Sequence, residues 1–296
     1  MYREIIVKSV LNKKKKRDSW FLDEYTLNPY EGCAFNCQYC YIRGSKYGLN
    51  MEDGMAVKIN TLEILDRQLS LRARKEQFGI IALASATDPY MRIEEQLRLT
   101  EGCLMLIYKH RFPVLMITKS PLILRDLALL KDIDQVAIHA RDIASSVAHG
   151  AIVSFSFSTI DDTIAAKLEP GAPTPDERRN AIRKVKDAGL YVGVNLMPVL
   201  PLIHDSTEAL EQMISAFKEA GADYVLTGSL TLFGNGLADS YTLYMKFLQR
   251  NFPDVLASYA RLYNGYFMPS RAYQKDLSAR ASHLIAKYGL KEKITA

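Results

Sequence analysis

Its 296 residues, 48% of them apolar, can bury a large core and sit between one large domain and two small ones. No apolar run suits a membrane span or an export signal, since the stretch YVGVNLMPVLPLI is broken by Pro198 and Pro201, so a cytoplasmic protein is expected. The net charge of +5 traces to Lys13, Lys14, Lys15, Lys16 and Arg17: without them the 38 basic residues fall to 33, equal to the 33 acidic ones, and charge alone does not indicate a nucleic-acid partner.

In chain order, residues 1–24 read as a basic N-terminal extension whose lysine run is a solvated arm or, alternatively, an arm that contacts phosphate. From there, apolar and β-branched segments at 25–30, 78–84, 113–118, 151–158, 190–197 and 222–227 predict strands. Amphipathic stretches at 61–77, 94–110, 122–148, 174–188 and 206–220 predict helices between them. Pro175 with two acids opens one of these helices and Gly189 closes it, and Gly221 closes the next. Strict alternation of strand and helix predicts an α/β fold, a partial (β/α)6 TIM-type barrel of parallel strands over 25–238. Residues 239–296 predict C-terminal helices packed on that barrel. Chemistry in such folds sits on the loops that follow the strands.

Three of the four cysteines, Cys33, Cys37 and Cys40, fall within the loop after the first predicted strand, in NPYEGCAFNCQYCYIR. A reduced C-x3-C-x2-C cluster points to metal rather than to a disulfide framework. Structural zinc would want a fourth ligand from a second pair or a spaced histidine, and catalytic zinc would want a nearby His and Glu, neither of which is evident. A [4Fe–4S] cube usually takes four thiolates, so three would leave one iron open.

C-x3-C-x-aromatic-C, with Tyr39 as the aromatic, resembles the signature of the radical S-adenosylmethionine enzymes. NPYEGCAFNCQYCY, ASATDPY, VLMITKS, LEPGAPTPDERRNAIRKVKDAGL and VGVNLMPVLPLIHD, in that order, resemble the spore photoproduct lyase-like branch, also described as DNA repair photolyase homologues. The resemblance runs from about Tyr25 to Leu237. It implies one [4Fe–4S] cluster on Cys33, Cys37 and Cys40, S-adenosylmethionine on the open iron, and a low-potential electron donor of the flavodoxin or ferredoxin kind. It also implies a 5′-deoxyadenosyl radical that abstracts hydrogen from substrate.

Carried over by position, Tyr39 matches the aromatic near the adenine and Tyr41 a tyrosine of the hydrogen-atom relay, with ordinary packing at the barrel mouth as its alternative. Lys119 matches a lysine against the cofactor carboxylate, or else is a solvated lysine before Pro121. Ser85, Thr87 and Asp88 stand where the superfamily meets the cofactor's amino nitrogen, or they cap the following helix. Ser156 and Ser158 share one strand face, one of them toward the cofactor, and Asn195 reaches the ribose or is an interior amide.

The sequence departs from the family at Ala86, where lesion-repairing lyases carry the cysteine that returns hydrogen to the product radical. Cys103 lies on an apolar helical face with Leu99, Leu106 and Ile107 and reads as a buried, inert thiol. His139 and His149 read as surface or packing residues, and His204 as a residue near the mouth without an assigned role. The expected function is a radical enzyme on an unidentified substrate, nucleic acid among the candidates. The competing readings are a radical enzyme acting on a peptide or small metabolite, and a non-catalytic iron–sulfur or zinc protein that binds nucleic acid.

Overall fold

The computed structural model describes residues 2–46, 48 and 54–295. The chain opens with β1 (Arg3–Ile5), β2 (Leu11–Lys13), β3 (Asp23–Leu27), β4 (Tyr30–Glu31) and β5 (Ala56–Lys58). After α1 (Thr61–Arg74) come β6 (Ile80–Leu83), α2 (Glu94–Leu97), α3 (Leu99–Lys109), β7 (Val114–Thr118) and α4 (Leu127–Val136). Then follow β8 (Ala151–Phe157), α5 (Asp162–Leu168), α6 (Pro175–Asp187), β9 (Tyr191–Val199), α7 (Thr207–Glu219) and β10 (Tyr224–Ser229). The C-terminal helices are α8 (Ser240–Asn251), α9 (Leu256–Tyr263) and α10 (Arg271–Lys287).

The main sheet has the order β10-β9-β8-β7-β6-β3-β2, parallel from β3 to β10, with β2 antiparallel on the outer edge. Its two edges do not pair with each other, so this is the expected partial barrel, open along one side. Strands buried on both faces suit continuous apolar runs such as Ile80–Leu83. Outward-facing Leu83, Met116, Phe155, Val194 and Val225 meet the helices. On the inner face, Leu115, Ile152, Tyr191 and Tyr224 pack with Ile143 and Val147. Alternation then brings Lys119, Ser156 and Asn195 inward nearer the C-terminal ends of the strands, with Ser156 directly beside Asn195.

Several elements differ from expectation. The first predicted strand divides at residues 28–29, where Pro29 lacks an N–H, and β4 joins a separate small sheet of order β1-β5-β4. The 94–110 helix breaks at Arg98, whose φ is +47°. There the buried Glu94 carboxylate accepts the N–H groups of Leu99 at 3.1 Å and Thr100 at 3.0 Å, capping a new start. Of the 122–148 stretch only α4 is α-helical; residues 121–126 form a 3-10 turn. Beyond α4 the apolar spacing serves a different end: Ile143 and Val147 fill the barrel's inner face, joined by single turns instead of a helix.

The lysine run is not a free arm. Lys14 pairs with Asp23 at 2.7 Å, and Arg17 bridges Glu24 at 2.8 Å and Asp142 at 2.6 Å. α6 begins at the expected place with a reciprocal Thr174–Glu177 cap and Pro175. Gly189 and Gly221, at φ of +83° and +89°, end α6 and α7 in the left-handed conformation. Leu277, Ala281 and Leu284 of α10 share one core with Leu210, Ile214 and Phe217 of α7. Among the described residues no helix is long and apolar enough to cross a membrane.

Candidate active site

The cysteine loop leaves β4 at the C-terminal mouth of the barrel. Gly32 at φ +75° and Asn36 at φ +53° provide the two left-handed positions at which the backbone turns around Cys33. The loop is pinned from two sides. The Thr87 hydroxyl, after β6, donates to the Gly32 carbonyl, and the Tyr41 hydroxyl donates to the Ser85 carbonyl. From the segment after β8, the Leu168 carbonyl accepts the Gln38 N–H at 2.8 Å, and the Gly171 N–H donates to Phe35 at 3.1 Å.

Cys37 is buried, and Cys33 and Cys40 are partly buried against the same apolar cluster. Phe35, Leu168, Leu200, Leu230, Tyr244 and Tyr259 belong to that cluster, so α8 and α9 complete the wall behind the loop. Burial pushes the Cys33 thiol up to about 12, helped by nearby Asp88, and Cys37 further up. The bare Cys33 and Cys37 thiols stay protonated, so a cationic metal is what would turn them into thiolate ligands. Among the described residues no three Cys, His, Asp or Glu side chains are gathered tightly enough to hold an ion as they stand. The donor set nevertheless fits an iron–sulfur cluster: all sulfur, in an apolar pocket, three ligands on one clamped loop.

Gly171 makes that clamp sensitive. A β-carbon there would stand 2.2 Å from the Ala34 carbonyl oxygen and 3.0 Å from the Phe35 Cα. Gly171→Ala is expected to push the cysteine loop aside, at a cost of about 1–3 kcal/mol. Iron bound per chain, measured after reconstitution, should fall in step.

Lys119 extends from the end of β7 with its ammonium 5.7 Å from the centre of the Tyr39 ring. Burial opposes its charge, yet its pKa is raised above the usual lysine value, and the neighbour that is anionic at neutral pH is the Glu169 carboxylate. The Ser158 hydroxyl is committed to Glu169 at 2.9 Å, while Ser156 is less buried. Asn195 is 3% exposed and its Oδ1 has no hydrogen-bond partner among the described residues. Asp88 is taken up by the scaffold: it accepts the Lys119 N–H at 2.7 Å, the Tyr90 N–H at 2.9 Å and the Thr118 hydroxyl at 2.8 Å. Even so, burial outweighs these bonds and raises its pKa. The Ala86 N–H donates to Asn28 Oδ1 at 3.1 Å. Tyr41 lies at the surface, 43% exposed.

Sequence reasoning missed the charge pair beneath the loop. Glu169 accepts the Tyr39 and Ser158 hydroxyls on one oxygen and Arg178 on the other, with both charged side chains 1% exposed. Arg178 also reaches the Ser156 carbonyl at 3.0 Å and the Pro173 carbonyl at 2.7 Å. Burial alone would raise the Glu169 pKa, yet Lys119 and Arg178 pull it below the usual glutamate range. The signal available was LEPGAPTPDERR, an acid ahead of a Pro-Gly turn with an arginine one helical turn into α6.

Cys103 is fully buried in the core between sheet and helices. His149 stacks on Tyr191 with ring centres 4.6 Å apart. His204 lines a cavity of about 350 Å³ with Asp161, Asp176 and Arg179, to which no cysteine contributes.

A family profile described as the radical SAM superfamily matches residues 27–215. An uncharacterized protein of Mycobacterium tuberculosis is 32% identical over 297 residues, covering 98% of this chain and 81% of that protein. The radical SAM Nalpha-GlyT isomerase of Pseudomonas phage M6 is 24% identical over 199 residues, covering 66% of this chain and 38% of the isomerase. Among solved structures, a spore photoproduct lyase variant matches with a TM-score of 0.69 at 16% identity, covering 97% of this chain and 80% of that one. The same lyase with S-adenosylmethionine and dinucleoside spore photoproduct bound matches with a TM-score of 0.65. These structural likenesses establish a common fold.

Proposed function

The chain belongs to the radical SAM superfamily, and from that premise we propose that it is an enzyme binding one [4Fe–4S] cluster through Cys33, Cys37 and Cys40. When bound and reduced, such a cluster would supply the electron for reductive cleavage of S-adenosylmethionine to methionine and a 5′-deoxyadenosyl radical, the species that would abstract hydrogen from substrate. The observation that carries this reading is a sulfur-only loop, set in an apolar pocket at the C-terminal mouth of an open parallel barrel.

The chain's own residues bind and orient. Lys119 is a partly buried cation near Cys37 and the Tyr39 ring, suited to the methionine carboxylate. Tyr39, fixed by Glu169, supplies a ring between two of the cysteines for the adenine. The unsatisfied Asn195 Oδ1 suits a ribose hydroxyl, and Ser156 lies beside it on the neighbouring strand. Ser158, Thr87 and Asp88 support this shell indirectly, through Glu169, Gly32 and the end of β7, and Ser85 offers the carbonyl that anchors Tyr41. Tyr41, exposed at the mouth, is the relay candidate.

The substrate class we favour is nucleic acid, supported by the dinucleoside bound to the structurally similar lyase. Ala86 stands where the lesion-repairing lyases use a thiol, and alanine donates no hydrogen, so the repair cycle that depends on that thiol is not proposed. A low-potential flavodoxin- or ferredoxin-like protein would supply the electron.

The test is anaerobic reconstitution with iron and sulfide, then addition of dithionite and S-adenosylmethionine. The expected result is about four irons per chain and steady formation of 5′-deoxyadenosine. A protein that takes up zinc alone, or a fully loaded cluster that never yields 5′-deoxyadenosine, would refute the reading.

A further inference from the structure

The turn between Cys33 and Cys37 comes to the surface: Ala34 and Asn36 are exposed, while Cys37, the next residue, is buried. Gly171, also exposed, lies against the same turn, with its N–H on the Phe35 carbonyl at 3.1 Å. Ala34 and Gly171 put only a methyl group and a hydrogen between solvent and the backbone that carries the thiols. Electron transfer falls off steeply with distance, so a turn this poor in side chains gives an electron carrier a short way in.

Three cations without a carboxylate partner among the described residues stand around that turn, Arg43, Arg92 and Lys167. Arg43 donates to Asn36 Oδ1 and, at 3.3 Å, to the Ala238 carbonyl, both uncharged acceptors. Arg92 is exposed beside Met91, whose sulfur accepts the Ala34 N–H at 3.1 Å. Lys167 is exposed beside Leu168, whose carbonyl accepts the Gln38 N–H at 2.8 Å, and its ammonium donates to the neutral amide of Asn251 at 2.9 Å. Each cation therefore bonds the loop or adjoins a residue that does. Farther along the same stretches of chain the cations are neutralised, Arg98 by Glu101 and Arg179 by Asp176. The adjoining chain sets Glu95 and Asp254 as exposed acids against these cations and adds Arg250 as another exposed cation. Net positive charge around an approachable turn attracts an acidic protein and speeds its arrival.

We propose that this outer face of the cysteine loop, ringed by Arg43, Arg92 and Lys167, is where an acidic electron-carrier protein docks to reduce the cluster. The inference rests on the cluster proposed above. One electron passes from the reduced carrier, which is oxidised by one electron, to the cluster, which is reduced by one; no atom or proton changes hands. Docking from outside leaves the barrel interior, where Lys119, Ser156 and Asn195 project, to cofactor and substrate.

Reconstituted protein is titrated anaerobically with flavodoxin, a small acidic flavoprotein, carrying a polarisation dye. In parallel, 5′-deoxyadenosine is measured with either reduced flavodoxin or dithionite as the reductant. Arg92→Glu with Lys167→Glu should weaken flavodoxin binding, and slow flavodoxin-driven 5′-deoxyadenosine formation at subsaturating carrier, by roughly tenfold or more. Its iron content and dithionite-driven rate should stay at the parent's. Added salt should slow the flavodoxin-driven reaction of the parent and affect the double variant less. Lys131→Glu with Lys275→Glu makes the same change of charge on α4 and α10 and should bind flavodoxin as the parent does. Unchanged binding in Arg92→Glu with Lys167→Glu at equal iron, or an equal loss in the control, would overturn the proposal. So would oligothymidylate displacing the dyed flavodoxin as well as unlabelled flavodoxin does, which would give the face to nucleic acid. A loaded cluster that yields no 5′-deoxyadenosine with dithionite would remove the proposed chemistry, and the polarisation titration would still decide the docking.

Discussion

Replacing Cys37 with alanine is expected to bring 5′-deoxyadenosine formation down to the level of a protein-free control, together with loss of most of the bound iron. Cys37 is the most enclosed of the three loop cysteines, 8% exposed, and lies within the apolar cluster shared with α8 and α9. Its thiol is pushed up by burial, and Lys119 is the nearby cation that opposes the push, so a thiolate is tolerated only with positive charge on the sulfur. Without that sulfur the cluster would keep two ligands on a loop that leaves part of it open to solvent. Cys103→Ala is the matched control: this thiol is equally buried but sits in the core between sheet and helices, so its loss should cost about 1 kcal/mol of stability and no iron. Equal iron in the Cys37 and Cys103 variants would remove Cys37 from the ligand set.

What could be read from the sequence divides along physical lines. The parallel strands β6 to β10 were legible because each is a largely apolar run closed off by turn residues, and burial on both faces demands such runs, whereas β3, DEYTL, is half polar and the predicted 25–30 strand overlaps only its second half. The three cysteines were legible because their spacing is local. Features made by distant residues were not. Glu94 restarts a helix by capping Leu99 and Thr100 from the preceding short helix, a choice that periodicity cannot register. Ile143 and Val147 have the spacing of a helix face, yet their partners are on the inner sheet face. Lys14 and Arg17 look like part of a free cationic arm until Asp23 and Asp142 are brought against them.

The buried charge pair is the sharpest instance of a distant arrangement, and it gives the second large effect. Glu169→Gln keeps the shape of the side chain and removes its charge, leaving Arg178 buried without a counter-ion and Lys119 without its carboxylate neighbour. Breaking a pair this enclosed should lower the unfolding free energy by about 3–5 kcal/mol, read from urea denaturation near neutral pH. The pH dependence has a definite sign. The folded pKa of Glu169 lies below its ordinary value, so its contribution is complete above the unfolded glutamate pKa of about 4.3 and is lost as pH falls through the lower folded value. The difference between parent and Glu169→Gln should therefore narrow in acid.

Loss of the fold and loss of the site can be separated by a second substitution. Glu169→Leu combined with Arg178→Met replaces the pair with apolar side chains and should regain much of the stability. It still leaves the Tyr39 hydroxyl without its acceptor and Lys119 without Glu169. If the carboxylate serves the site as well as the fold, the double variant will unfold near the parent's urea midpoint yet bind S-adenosylmethionine more weakly at equal iron content. Parent-like affinity in a stable double variant would reduce Glu169 to a purely structural part, and a parent-like midpoint in Glu169→Gln alone would show that the pair does not carry the stability assigned to it.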